Sequence, residues 1–480
     1  MGVTIVGLGP GNGRLLTRDA WDTLLAAPHL FLRTSRHPAV ADLPASVQWT
    51  SFDDVYDTAE TFDAVYDTIV AELLRHAAAG DVVYAVPGHP HVGESTVTRL
   101  TAAATETGVS VHIVPGLSFI EPMLTAVHLD ALDGCQLFDA IELTAYQYPP
   151  INPDVPLLLG QVYSQMLASE LKMVLTAVYP STHPVQLVHA AGTDAQRVEP
   201  LALADLDRSP WIDHLTSLYV PPLPQPASLA TLAETVAVLR SPEGCPWDQE
   251  QTPQSMREGF LEETAEVLAA LDEDSPDALA EELGDVLYHL VMQAQMASEV
   301  EEFRLTDVIA GIDSKLKRRH PHVWGDWEVQ DSAEVVRNWE ALKQTEKARP
   351  AAASLLDNIP LALPALARSQ KIQGRVARVG FDWPAVEGVY EKLAEELAEL
   401  RQAETNEARQ AELGDVLFVL VNLARWLHVD AESSLREANG RFTRRFQFVE
   451  SLAVERQLDL AELDFAALDG LWQEAKRVLD

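Results

Sequence analysis

The sequence predicts an α/β first half followed by an all-α second half. Three observations support this division. Up to about residue 222, short β-branched runs alternate with glycine turns and helical patterns. A proline-rich stretch, Pro221-Pro222-Leu223-Pro224-Gln225-Pro226, then suits neither a helix nor a central strand. From Leu229 onward the apolar spacing is helical almost throughout, and it repeats.

The chain has 480 residues, 47% of them apolar, which sets a prior of about three domains with ordinary cores. Residues 3–6 predict a strand, which leads into Gly7, Gly9, Gly11 and Gly13 and then into a helix over residues 17–27. A dinucleotide fingerprint is not met, because its third glycine position is Asn12 and no acidic residue ends the next strand, HLFLRT. Two further strands, DVVYAV and VSVHIV, end in Pro87-Gly88-His89-Pro90 and Pro115-Gly116-Leu117-Ser118-Phe119. In an open α/β sheet these turns meet at the carboxyl ends of the strands, where ligands bind.

With GLGPG, PGHP and PGLSF, the first half resembles the tetrapyrrole methylase family. QVYSQMLASELKMVL, VQLVHAAG and LTSLYVPPL extend the resemblance to about residue 222. It implies a two-lobed α/β domain over 1–222 with S-adenosylmethionine in the cleft. The matching positions are Gly7, Gly9, Gly11, Gly88, His89, Gly116 and Ser118. His89 stands where many active methylases carry an aspartate, which weighs against methyl transfer; as a turn residue it serves equally to pack or cap.

In the helical half, YEKLAEELAEL places Glu395, Glu396 and Glu399 on adjoining parts of one helical face. AELGDVLFVLV then adds Glu412 and Asp415, three residues apart. An acidic run alone reads equally well as a solvated face. Two antiparallel helices would instead bring four carboxylates together, and oxygen-only ligation of that kind suits magnesium or manganese.

The same order occurs earlier in the chain. Glu263 and Glu266 correspond to Glu396 and Glu399, and Glu282 and Asp285 correspond to Glu412 and Asp415. Upstream, Trp247 pairs with Trp383; downstream, Lys315 and Arg319 pair with Arg441 and Arg445. Gly284 and Gly414 sit beside each carboxylate pair, where a mid-helix glycine costs about 1 kcal/mol relative to alanine and close helix approach would offset it. Met292 in the first repeat aligns with Asn422 in the second, and only the amide reads a sugar or base edge well. Asn422 is equally readable as a satisfied buried amide.

The repeat resembles the MazG family of nucleoside triphosphate pyrophosphohydrolases, through EExxE and ExxD in both copies and through GCPWDQEQT, KLKRRHPHVW, KIQGRVARVGFDW and NLARW. The resemblance implies two all-α helical-bundle domains, over 229–348 and 361–480. It implies Mg²⁺, with Mn²⁺ as a substitute, on Glu396, Glu399, Glu412 and Asp415, and on Glu263, Glu266, Glu282 and Asp285 in the first copy. Glu395 is then a candidate general base, and Arg441 and Arg445 bind phosphate, with Asn422, Lys371, Arg375 and Trp383 as further nucleotide contacts. Lys371 and Arg375 read equally well as a solvated basic face. The implied reaction cleaves an NTP or dNTP to the monophosphate and pyrophosphate, in the second copy above all, by a homodimer or higher homo-oligomer formed through the helices. His320 and His322 flank a proline and read as loop or capping residues.

A formal charge of −38 argues against a nucleic-acid partner. Cys135 and Cys245 offer neither a disulfide framework nor a cysteine-based zinc site. The absence of a basic leader and of a long apolar run predicts a cytoplasmic protein without a membrane partner. Two other readings compete with hydrolysis. One is an S-adenosylmethionine-dependent methyltransferase with an accessory helical region; the other is a nucleotide-sensing module with little turnover.

Overall fold

The computed structural model describes residues 2–59, 61–346, 354–357 and 359–479. The expected end of the first helical domain, at 348, lies outside them. The chain forms two compact units, residues 1–251 and 252–480.

The first unit contains two five-stranded sheets. Sheet one comprises β1 (Gly2–Gly7), β2 (Leu30–Leu32), β3 (Trp49–Ser51), β4 (Val82–Val86) and β5 (Ser110–Val114), in the order β3-β2-β4-β1-β5. All its pairings are parallel, so the carboxyl ends of β1, β4 and β5 are neighbours, as the three glycine turns predicted. Helices cover its faces, as a buried parallel sheet requires. The Arg18–Ala26 helix begins where expected, because the Thr17 side chain accepts from Ala20 N. Ile69 and Leu73, from the Phe62–Ala77 helix, pack with Ile5 and Tyr84 in the core.

Sheet two comprises β6 (Gln136–Asp139), β7 (Leu157–Gly160), β8 (Pro184–His189), β9 (Arg197–Ala202) and β10 (Thr216–Val220), in the order β6-β7-β10-β8-β9. Only its β6–β7 pairing is parallel. Leu157, Leu158 and Leu159 are all fully buried, so β7 is covered on both faces, with about 1.5–3 kcal/mol gained per leucine.

The first unit extends past the proline stretch, to residue 251. Asp154 supplies the reason. Its carboxylate accepts from Ala227 N at 2.7 Å, Ser228 N at 3.1 Å and the Thr231 hydroxyl at 2.5 Å. The start of the Leu229–Arg240 helix is thereby fastened to the α/β unit.

The described residues of the second unit form helices without a strand. Two antiparallel pairs matter for the site. The first joins Arg257–Asp272 to Pro276–Glu299, and the second joins Val386–Gln402 to Asn406–Trp426. Helices Leu305–Arg319 and Ala431–Glu455 follow them. An Arg436–Asp272 ion pair at 2.5 Å ties the last of these to the first pair. No helix of the described residues is long and apolar enough to cross a membrane.

Candidate metal and phosphate centre

Each antiparallel pair gathers carboxylates. Ligand atoms of Glu263, Glu266 and Glu282 all lie within 4.8 Å of one another, and so do those of Glu396, Glu399 and Glu412. The three-residue spacings place these side chains on one face of each helix, and the short turns fold the faces together. Partial burial and then the neighbouring carboxylates, Asp285 foremost, push the Glu263 carboxyl above its usual range. Glu282 is raised by burial and then by Glu266, and Glu399 by burial and then by Glu396 and Glu412. Such mutual repulsion suits a hard divalent cation. Asp285 and Asp415 lie a turn further along, outside the two tight triads.

The second cluster contains a cation of its own. Lys392 Nζ lies 2.8 Å from Glu395 and 2.7 Å from Glu396. Glu396 is only 5% exposed, so its charge is held away from water and the ammonium offsets that cost. Lys392 was within reach of sequence reasoning, since it sits four residues before Glu396. Glu395 faces the ammonium and stands outside the triad.

The chain is similar along 99% of its length to the uncharacterized protein YabN of Bacillus subtilis (strain 168), at 40% identity and covering 98% of it. It is 47% identical to the nucleoside triphosphate pyrophosphohydrolase of Escherichia coli (strain K12) over 245 residues, half of this chain and 93% of the relative. The chain belongs to the MazG nucleotide pyrophosphohydrolase family. The Thermotoga maritima nucleoside triphosphate pyrophosphohydrolase/pyrophosphatase MazG matches at 43% identity, over 51% of this chain and 94% of its own. The MazG nucleotide pyrophosphohydrolase domain model matches residues 251–324, which hold the first triad. The model for Tetrapyrrole (Corrin/Porphyrin) Methylases matches residues 2–207, so the first unit carries a methylase domain. Among solved structures, cobalt precorrin-4 methyltransferase CbiF covers 46% of this chain and 94% of its own, at 17% identity and a TM-score of 0.36.

Arg441 is exposed and pairs with Glu437 at 3.7 Å, while the Arg445 guanidinium lies 5.9 Å from the Trp472 ring centre. Arg375 donates to the carbonyls of Leu355 at 3.0 Å and Asp357 at 2.5 Å. Lys371 is exposed. Asn422 is 6% exposed, and its Oδ1 accepts from Arg425, whose guanidinium also reaches Asp382 at 2.6 Å. Trp383 is 37% exposed and packs against Gly388, where a Cβ would come within 2.4 Å of the ring. His320 donates through Nδ1 to Leu316 O, closing a helix end.

One expectation is corrected. Close helix approach does not explain Gly284 and Gly414, because a Cβ at either would meet no atom within 4 Å. Both residues are exposed, so in the described residues neither glycine makes room for a neighbour.

In the methylase domain the turns pack on one another. A Cβ on Gly7 would lie 2.5 Å from Gly88 O and 2.6 Å from Gly116 N, so strand-end packing alone requires glycine there. Gly9 and Gly88 exchange backbone hydrogen bonds, and a Cβ on Gly11 would meet Leu15 and Thr193. His89 Nδ1 accepts from His91 N, and Ser118 donates to Glu121 through both N and Oγ. Next to these turns lies a feature that the sequence concealed. Arg33 forms an ion pair with the buried Glu94, and Glu94 accepts from Thr96, which in turn bonds Tyr84.

Proposed function

We propose that the protein hydrolyses nucleoside triphosphates, ribo- or deoxyribo-, to the monophosphate and pyrophosphate with Mg²⁺, using two MazG copies. The observation that carries this reading is the pair of three-carboxylate clusters within 4.8 Å, each built by one antiparallel helix pair. It is supported by relatives whose names state that activity.

Glu396, Glu399 and Glu412, with Asp415, would hold the cation in the second copy. Bound there, Mg²⁺ neutralises charge on the phosphates and lowers the pKa of water. Lys392 fixes Glu395 and Glu396 in place. Glu395 is the base that takes the proton as water adds to phosphorus and the bond between the α- and β-phosphates breaks. Arg441 and Arg445, one helical turn apart, would bind the triphosphate, with Lys371 and Arg375 in support. Trp383 offers a half-exposed ring for a base. Asn422 holds Arg425, and reads the nucleotide only by giving up that bond.

A panel of ribo- and deoxyribonucleoside triphosphates, followed by pyrophosphate release with Mg²⁺, tests the reading. Absence of hydrolysis by folded protein would overturn it in favour of a nucleotide sensor. A second activity reading, S-adenosylmethionine binding by the methylase domain, is favoured by the convergence of the three turns at β1, β4 and β5. Equilibrium binding of labelled S-adenosylmethionine to the full chain tests that one.

A further inference from the structure

The two repeats share their carboxylates but not the end of their second carboxylate helix. In the second copy, Asp382 Oδ1 accepts from the Arg425 guanidinium at 2.6 Å, from Trp426 Nε1 at 3.2 Å and from Trp383 N at 2.9 Å. Arg425 also donates to Asn422 Oδ1, through Nε at 3.1 Å and Nη2 at 2.8 Å. Asp382 and Arg425 are each only 20% exposed, so water competes little for these bonds. The loop that precedes Val386–Gln402 is thereby tied to the carboxyl end of Asn406–Trp426.

All four members of this network are replaced in the first repeat. Pro246 stands for Asp382, Met292 for Asn422, Gln295 for Arg425 and Met296 for Trp426. Met292 and Met296 are buried, and Gln295 donates to Glu299 at 3.1 Å instead. A half-satisfied polar network is worse than an apolar one, which accounts for the joint replacement. Only the tryptophan persists, as Trp247.

In the second copy the network fixes the loop that carries Trp383. The ring rests on Gly388, where a Cβ would collide with Cδ1, and it stays 37% exposed. Gly388, Lys392, Glu395 and Glu399 form one stripe of their helix. Gly388 precedes Glu396 by about 12 Å along the axis, at 1.5 Å per residue. That separation suits a nucleotide whose phosphates lie at the carboxylates and whose base lies on the ring.

We propose that Asp382, Arg425 and Asn422 are positioning residues that hold Trp383 as the base platform of the second copy, and that the first copy has no such platform. This inference rests on the proposed hydrolysis of nucleoside triphosphates. It separates the two copies by how they hold the nucleotide, although both keep their carboxylates.

Pyrophosphate release by the full chain with Mg²⁺ is measured for wild type, Asp382→Ala, Trp383→Ala, their double variant, and Arg425→Gln, which copies the first repeat. Inorganic tripolyphosphate, which has phosphates and no base, serves as the competing inhibitor. KM for the nucleotide is expected to rise on the order of tenfold in each single variant, the scale of losing one stacked base, with kcat changed less than about threefold. The inhibition constant of tripolyphosphate should change less than about twofold, and the double variant should be no weaker than Trp383→Ala alone. Circular dichroism checks folding, and Arg425→Gln decides the matter if Asp382→Ala does not fold. Unchanged KM, an equal loss for tripolyphosphate, or additive losses in the double variant overturn the inference while hydrolysis stands. No hydrolysis by wild type defeats the proposed hydrolase as well.

Discussion

The Lys392 ammonium lies 2.7 Å from the Glu396 carboxylate, inside the second carboxylate cluster, while the same register in the first repeat is Gly259. One cluster is thus partly neutralised by the chain itself, whereas among the described residues no ion pair reaches the Glu263, Glu266 and Glu282 carboxylates. Without metal, Lys392→Met should leave Glu396 buried and unpaired beside Glu399 and Glu412. The melting temperature in EDTA is expected to fall by about 2–4 °C and to recover with Mg²⁺. Differential scanning calorimetry in both buffers checks this, and an equal loss in Mg²⁺ would remove Lys392 from the cluster's charge balance.

Catalysis in the second copy predicts unequal effects of two equivalent changes. Glu399→Gln removes a carboxylate from one triad, and Glu266→Gln removes its counterpart from the other. Pyrophosphate release is expected to drop about 100-fold or more in the first variant. It should change less than about threefold in the second, as for a change outside the reacting groups. The reverse order would move catalysis to the first copy.

The clusters also predict how stability depends on pH. Glu263, Glu282 and Glu399 are raised above the ordinary glutamate value, so the folded chain binds more protons than the unfolded chain just above that value. Stability therefore falls as pH rises from about 4.3, the unfolded glutamate value, through the raised folded values. Metal-free protein should gain stability on mild acidification from neutrality, and the gain conferred by Mg²⁺ should shrink over the same interval. Urea titrations at several pH values, with and without Mg²⁺, measure both slopes.

Much of this was legible in the sequence, for reasons that differ by element. Spacings of three and four residues determine which side chains share a helical face, so Glu263 with Glu266 and Glu396 with Glu399 were readable. A parallel sheet of β-branched runs ending in glycine turns was readable too, because both its strand period and its turn chemistry are local. Partners distant in the chain were not. Arg33 and Glu94 meet only because β2 and β4 are neighbours, and nothing in either stretch specifies that pairing. The same holds for His289, whose approach to Gly259 and unpartnered buried Nδ1 depend on how two helices pack. The expected role of Gly284 and Gly414 failed because a small residue records that space is permitted, not that a neighbour uses it.

Asp154 fixes where the α/β unit ends, and its removal has a predictable signature. Its carboxylate accepts from two backbone amides and the Thr231 hydroxyl, bonds that hold its pKa down at about 2 despite the opposing effect of burial. The group is partly exposed, so solvent discounts each of these bonds. Asp154→Ala is expected to cost about 2 kcal/mol of the first unit's stability near neutral pH. A lowered folded pKa means that this stabilisation is complete above the unfolded aspartate value of about 3.9 and is lost as pH falls towards about 2. The difference between wild type and variant should therefore be constant from neutrality to mildly acidic pH and shrink only below it. Hydrogen exchange adds a local readout. Amides at the start of the Leu229–Arg240 helix should exchange faster in the variant, while those of β1 and β4 keep their protection. Uniformly faster exchange throughout the first unit would instead mean that Asp154 supports the whole α/β fold rather than the attachment of one helix.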